Sequence, residues 1–223
     1  MLERPGEPPQ YERWGASLDA LAERVFTGPE GQERARPLLS AHDRVLGRIV
    51  NGDDQHELLR ALRIDWALCD ACPRDHADAG TDSWAWRVAH ERVPGVRSAP
   101  DDAAVAGSVG GLFEVWPGRR AWLRDRLSGL SVALDGEVDP RALASGTGPG
   151  ALWETRVVVG ARGAALCRRP IEYPLEIVPM LERAHARAFG ERPYAPLTLR
   201  RAWLEWRRSR GADPRPIFRA VLE

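Results

Sequence analysis

The spacing of apolar residues changes at Gly110, and this change constrains the fold more than any other feature. Before Gly110, apolar side chains such as Leu18 and Leu21 recur every three to four residues, the period of a helix buried on one face. From Gly110 the segment GLFEVWP alternates, with Phe113 and Val115 on one side, which is the period of a half-buried strand. We therefore expect helices to give way to an antiparallel sheet near residue 110.

Five short strands are expected between residues 110 and 173. Pro117-Gly118 interrupts the first apolar run, so the first two strands form a hairpin, and the glycine-containing turn at 160–163 joins the last two. The strongest strand covers residues 151–159, and one of its faces is expected to carry Trp153, Thr155, Val157 and Val159. These strands are predicted to form a small antiparallel β barrel.

Helices are predicted on both sides of this barrel. The segment 64–72 (IDWALCDAC) fits either a short strand or the end of a helix. The predicted fold class is α+β, with a five-stranded antiparallel barrel. The predicted parts are a loose tail at 1–10, a helical region at 11–109, the barrel at 110–173, and C-terminal helices at 174–223 that pack on the rest.

The basic residues exclude several kinds of chemistry. All 32 are arginine and none is lysine, a bias that suggests a GC-rich bacterial genome. Schiff-base catalysis, a phosphate-binding loop with its lysine and a Ser–Lys dyad all need an amine that this chain lacks. Arginine supplies charge and bidentate hydrogen bonds, but it stays protonated and cannot act as a base near neutral pH.

The net charge is zero but unevenly distributed. Residues 1–110 carry 13 Arg and 19 acidic residues, a charge of −6, and residues 111–223 carry 19 and 13, a charge of +6. Such a dipolar chain can dock its own halves or steer a partner. No apolar run reaches the roughly 18 residues of a membrane span, and the first ten residues have no signal-peptide core. A cytoplasmic location without membrane contact is therefore expected.

The order of these segments resembles a pattern in uncharacterised bacterial proteins. It consists of an apolar strand, a PGRR turn, LRDRLSG, a second apolar strand, a linker and LWETRVVV, within residues 110–173. In those proteins a compact SH3-like barrel follows a helical segment, and some carry a cysteine-rich metal-binding tail that this chain lacks. The resemblance implies a fold, and by analogy the binding of peptides, other proteins or nucleic acid.

One cluster has the residue types of a metal site. Cys69 and Cys72, followed by His76, supply three ligands that zinc accepts, and His90 could be a fourth. The same cysteines could instead form a redox pair or pack as small hydrophobic residues. No cofactor is expected unless this cluster binds zinc, in which case a metal-dependent enzyme between Cys69 and His90 becomes the third hypothesis for function.

Two surfaces are candidates for binding a partner, because catalytic motifs such as GxSxG and HExxH are missing. One is the tip of the first hairpin, where tryptophans flank arginines, a combination used for peptides and for stacking bases. The other is the C-terminal helix LRRAWLEWRRSR. We predict a non-catalytic binding or adaptor protein with a protein partner, and as the alternative a nucleic-acid-binding protein that uses the same surfaces. The predicted contact residues are Trp116, Arg119, Arg120, Trp122, Arg200, Arg201, Arg207 and Arg208.

Overall fold

The computed structural model describes residues 10–71, 82–116, 118, 120–126, 129–135, 151–187 and 196–222. Within these residues the helices before the first strand are α1 (Gln10–Phe26), α2 (Gly28–Leu46), α3 (His56–Cys69), α4 (Trp84–Ala89) and α5 (Asp102–Ala106). The segment 64–72 is therefore helical as far as Cys69, which decides between the two predictions for it. Within these residues no helix is long and apolar enough to cross a membrane.

The strands follow α5 and form antiparallel pairs. They are β1 (Val109–Trp116), β2 (Trp122–Asp125), β3 (Ser131–Ala133), β4 (Leu152–Gly160), β5 (Gly163–Leu166) and β6 (Ile171–Tyr173). Five of them lie in the order β3-β2-β1-β4-β5, and β6 pairs with β4 off this path. β4 is long enough to pair with β6 through Leu152–Glu154 and with β5 through Val157–Gly160.

Helices return after β6. A 3₁₀ turn at Leu175–Ile177 leads into α6 (Val178–Arg187), and α7 (Pro196–Arg208) and α8 (Pro214–Leu222) complete the chain. Asp213 accepts a hydrogen bond from the backbone N–H of Arg215 at 3.0 Å, which caps the start of α8. Helices on both sides of antiparallel strands confirm the predicted α+β class.

The chain divides into two compact units, and each contains parts of the sheet. The first comprises residues 1–42, 57–110 and 156–169, and the second residues 43–56, 111–155 and 170–223. The core of the first unit is built from the apolar faces of its helices, from Val158 of β4 and from Cys167, which directly follows β5. Its largest helical contributions include Leu18, Leu21, Val25, Leu68, Trp84 and Val88, all of them buried.

The core of the second unit lies between its strands and its C-terminal helices. Phe113, Leu123 and Trp153 from the strands and Trp203 and Phe218 from the helices are almost completely buried. Phe218 meets the ring of Tyr173 edge-on, with ring centroids 5.9 Å apart. Aromatic side chains therefore provide much of the apolar area that this unit removes from water.

β4 is buried on both faces over most of its length. Every residue from Leu152 to Val158 is buried, including the charged Glu154 and Arg156, and Val159 is exposed. Alternation of polar and apolar residues indicates a half-exposed strand only when solvent reaches one face. Here both faces are covered, so the polar residues of β4 are paired inside the protein.

Candidate functional site

The first hairpin places two tryptophans side by side on its outer surface. β1 and β2 pair with Trp116 opposite Trp122 and Glu114 opposite Arg124. Because side chains alternate along a strand, Phe113 and the other inward residues enter the core while these four point the other way. We call Glu114, Trp116, Trp122 and Arg124 the outer hairpin face.

Both of these tryptophans are exposed to solvent, Trp116 by 52% and Trp122 by 49%. The other seven tryptophans of the chain are buried or half-buried. Among the residues that the structure describes, no aromatic ring stacks on either indole and no arginine makes a cation–π contact with it. About half of each of these tryptophans is therefore open to solvent.

Charged side chains surround this aromatic pair and largely neutralise one another. Arg126 pairs with Glu114 at 2.8 Å and with Glu182 at 3.5 Å, and Arg120 approaches Asp135 at 4.0 Å. Arg124 is exposed, and the described part of the chain offers its guanidinium no hydrogen bond or ion pair. Arg119 lies outside the described residues. The outer hairpin face thus combines two open aromatic rings with one available cation.

A buried carboxylate fixes the base of the hairpin. Asp125 turns inward and accepts a hydrogen bond from the backbone N–H of Leu112 at 3.1 Å. A Cβ atom on Gly111 would lie only 2.6 Å from a carboxylate oxygen of Asp125, closer than real contacts allow. Glycine at position 111 therefore lets the carboxylate reach the strand, which holds β1 and β2 in register below the tryptophans.

Arg200, one of the predicted contact residues, lies inside the second unit. Its Nε donates to an oxygen of Glu154 at 2.8 Å, and Tyr173 donates its hydroxyl hydrogen to the other oxygen at 2.8 Å. Glu154, Arg200 and Tyr173 are all buried. In the same helix Trp203 is buried and donates its indole N–H to the carbonyl of Glu172 at 2.7 Å. These groups hold α7 against β4 and β6.

The other predicted arginines of α7 bind carboxylates of their own unit. Arg208 donates to both oxygens of Asp53, at 2.7 and 2.8 Å, and this hydrogen bonding lowers the pKa of Asp53. Arg207 bonds to Asp54 and lies over the ring of Trp206, 5.4 Å from its centroid. Arg201 pairs with Glu205 one turn away at 2.9 Å. Much of the positive charge of α7 is therefore neutralised locally.

The residues of the predicted metal cluster are described only in part. Cys69 ends α3, whereas Cys72 and His76 lie outside the described residues. Desolvation raises the pKa of the Cys69 thiol to about 12, although the charge of Arg156 acts in the opposite direction. His90 stacks on Trp86 with ring centroids 3.9 Å apart. Among the described residues, no group of three or more His, Cys, Asp or Glu side chains could hold a metal ion.

The sequence analysis did not single out two arginines of the first unit, the buried Arg156 and the half-buried Arg168. Arg156 bonds to Asp70 and, at 3.0 Å, to the hydroxyl of Ser108. Arg168 binds Asp65 through two hydrogen bonds of 2.6 and 2.8 Å. The sequence contains a signal for the burial of Arg156, which lies in the apolar run TRVVV. An arginine in such a run needs a hydrogen-bonding partner once both faces of the strand are covered. These arginines are structural ion pairs inside the first unit.

Comparison with known proteins gives no further guide to the function. No protein-family model, no curated protein and no solved structure matches the chain. The function is therefore inferred from the geometry of the outer hairpin face.

Proposed function

We propose that the chain is a cytoplasmic, non-catalytic binding or adaptor protein that contacts a protein partner through the outer hairpin face. The observation that carries this proposal is the adjacent, half-exposed pair Trp116 and Trp122, since the other seven tryptophans are more buried. The proposed surface differs from the predicted one in that α7 contributes little. Its arginines Arg200, Arg207 and Arg208 already bind carboxylates of the second unit.

The energetic argument rests on exposed aromatic area. Covering the exposed half of each indole, roughly 100 Å², would contribute about 2 to 3 kcal/mol per ring. Tryptophan and arginine are also the residues most enriched among those that dominate binding energy at protein interfaces. Trp116, Trp122 and Arg124 together have the composition of a small interface centre.

Single-stranded nucleic acid is the second candidate, because bases stack on exposed aromatic rings beside arginines. The local charges favour a protein. Arg120 lies near Asp135, and Arg126 pairs with Glu114 and Glu182, so that among the described residues Arg124 is the available cation of the outer hairpin face. A phosphate backbone requires several uncompensated cations along its path. The resemblance to SH3-like barrels is compatible with either ligand and remains an analogy.

Affinity capture with matched variants tests the proposal. Wild type, the double variant Trp116→Ser/Trp122→Ser and the control Leu175→Ser are immobilised at equal density and exposed to a bacterial lysate. Leu175 is a suitable control because it is an exposed apolar residue, 46% accessible, on the second unit but outside the hairpin. We expect one protein to be captured in equal amounts by wild type and control, and in at least about tenfold smaller amount by the double variant. Loss of one to two central interface residues of this type has an effect of that size.

Two results would contradict the proposal. Equal retention by wild type and double variant would refute the role of the tryptophans. Salt-sensitive binding of a fluorescein-labelled oligothymidine that is lost in the double variant, without any captured protein, would favour nucleic acid instead. Circular dichroism of all three proteins establishes that each variant is folded before binding is compared.

A further inference from the structure

The edge strand β3 presents backbone groups that point away from the sheet. Leu130 accepts a hydrogen bond from Asp125 N–H at 2.7 Å, and Leu134 N–H donates to the carbonyl of Ala121 at 2.8 Å. Hydrogen-bonded and non-hydrogen-bonded pairs alternate along an antiparallel ladder. Val132, midway between these two bonds, therefore faces β2 with its backbone, whereas Ser131 and Ala133 turn their N–H and C=O groups outward.

Among the described strands, β3 stands at the end of the strand order and pairs with β2. Over the described ranges no backbone hydrogen bond reaches the outward groups of Ser131 or Ala133. Ser131 is exposed and Ala133 is half-exposed, so solvent reaches this edge. Two donors and two acceptors are thus available at the spacing that another strand would match.

The side chains beside this edge form two rows across the hairpin. One row consists of Trp116, Trp122 and Ala133, and the next row consists of Glu114, Arg124 and Ser131. Each row therefore ends on a small side chain at the edge, next to a long exposed side chain. A strand added beside β3 would lie about 10 Å from β2, which is twice the usual spacing between strands. A long side chain on the added strand and a long side chain on β2 can meet across this distance, above the small side chain of Ala133 or Ser131.

We propose that the partner binds as an extended peptide segment that adds to the sheet along β3, with an apolar or aromatic residue opposite Ala133 and an acidic residue opposite Ser131. Main-chain hydrogen bonds to Ser131 and Ala133 hold the segment, and alternate side chains give it specificity. The first residue packs on the Trp122 ring, and the second meets the Arg124 guanidinium, which has no carboxylate partner among the described residues. This inference rests on the proposed function and specifies its ligand as an acidic–aromatic strand.

The first experiment uses a displayed library of random 12-residue peptides, selected on the immobilised full chain. We expect the enriched peptides to share an acidic residue two positions from an aromatic or aliphatic residue, because residues i and i+2 of a strand share a face. N-methylation of one selected peptide at successive positions should weaken binding at every second position, since only alternate N–H groups face β3. Enrichment without this spacing, or loss at successive positions, would contradict strand addition.

Amide hydrogen exchange on the wild-type chain tests the same geometry without a substitution. In the peptide-free protein the N–H groups of Ser131 and Ala133 should exchange rapidly, whereas that of Val132, bonded to β2, exchanges more slowly. Saturating peptide should slow exchange at Ser131 and Ala133 by at least about tenfold. No slowing at these two amides, or slow exchange before peptide is added, would overturn the inference, the latter because another strand or a second copy would already occupy the edge.

Two variants separate this inference from the proposed function. Ala133→Pro removes one outward N–H at a position where an edge strand tolerates proline, and Ala133→Ser keeps that N–H. We expect roughly tenfold weaker peptide binding for Ala133→Pro and less than about threefold for Ala133→Ser. Peptides that need Trp116 and Trp122 but bind Ala133→Pro normally would overturn strand addition and leave the proposed function standing. Failure to obtain any peptide that depends on the tryptophans would overturn both.

Discussion

The buried pair of Glu154 and Arg200 gives the sharpest prediction for stability. Glu154→Gln keeps the size of the side chain but removes the charge that Arg200 binds through two hydrogen bonds to the same oxygen. It also replaces one carboxylate oxygen by an amide nitrogen, which cannot accept a hydrogen bond. In the wild type both oxygens accept, one from Tyr173 and the other from Arg200. Both partners are buried, so the guanidinium would be left charged and poorly compensated away from water.

The expected loss in the free energy of unfolding is about 3 to 5 kcal/mol, the usual cost of removing one partner from a buried ion pair. Urea unfolding followed by far-ultraviolet circular dichroism measures it, with an expected midpoint shift of roughly 1 to 3 M. The matched control is Glu205→Gln on α7, the helix that carries Arg200. This substitution removes the exposed partner of Arg201. It should cost less than about 0.5 kcal/mol, because solvent screens exposed pairs.

A second variant separates lost pairing from lost packing. In Glu154→Gln/Arg200→Met neither member of this buried pair is charged, so part of the stability lost in Glu154→Gln should return. A loss below about 1 kcal/mol for Glu154→Gln, or equal losses for Glu154→Gln and Glu205→Gln, would refute the view that this pair holds α7 in place.

Two further predictions concern the base of the hairpin and the cysteines. Gly111→Ala places a methyl group against Asp125 and should cost about 1 to 3 kcal/mol of unfolding free energy, whereas Gly52→Ala, with open space around it, should be nearly neutral in the same urea titration. Desolvation raises the pKa of both Cys69 and Cys167 from 9.0 to about 12, so at pH 8 their alkylation by iodoacetamide should be roughly a thousandfold slower than that of free cysteine. Mass spectrometry of the labelled peptides measures the rates, and rapid labelling of the native chain at either residue would contradict its desolvated environment.

The sequence predicts the hairpin well because the residues that determine its strands and its turn are neighbours in the chain. Alternation along β1 separates Phe113 and Val115 from Trp116, and the turn signal at Pro117-Gly118 sets the pairing that brings Trp116 opposite Trp122. Periodicity alone does not say which face is covered. That depends on helices distant in the chain, so the exposure of Trp116 and Trp122 became known only with the structure.

The ion pairs that hold distant segments together were not predicted, because their partners are remote in sequence. Arg156 meets Asp70, 86 residues away, and Arg208 meets Asp53, 155 residues away. On α7 the apolar spacing correctly predicts the burial of Trp203. It places Arg200 off the apolar stripe, whereas Arg200 is buried because it binds Glu154. A charged residue on a strand or helix is interpreted as solvent-exposed until its partner is known.

Fluorine NMR of the chain labelled with 5-fluorotryptophan tests the central claim most directly. Nine tryptophans give resonances that single Trp→Phe variants assign, and the probe is the protein recovered by the capture experiment. We predict that the resonances of Trp116 and Trp122 shift or broaden on its addition, while those of the buried Trp153 and Trp203 stay in place. Unchanged resonances for Trp116 and Trp122, with shifts at other tryptophans, would show that the partner binds elsewhere and would contradict the proposed role of the outer hairpin face.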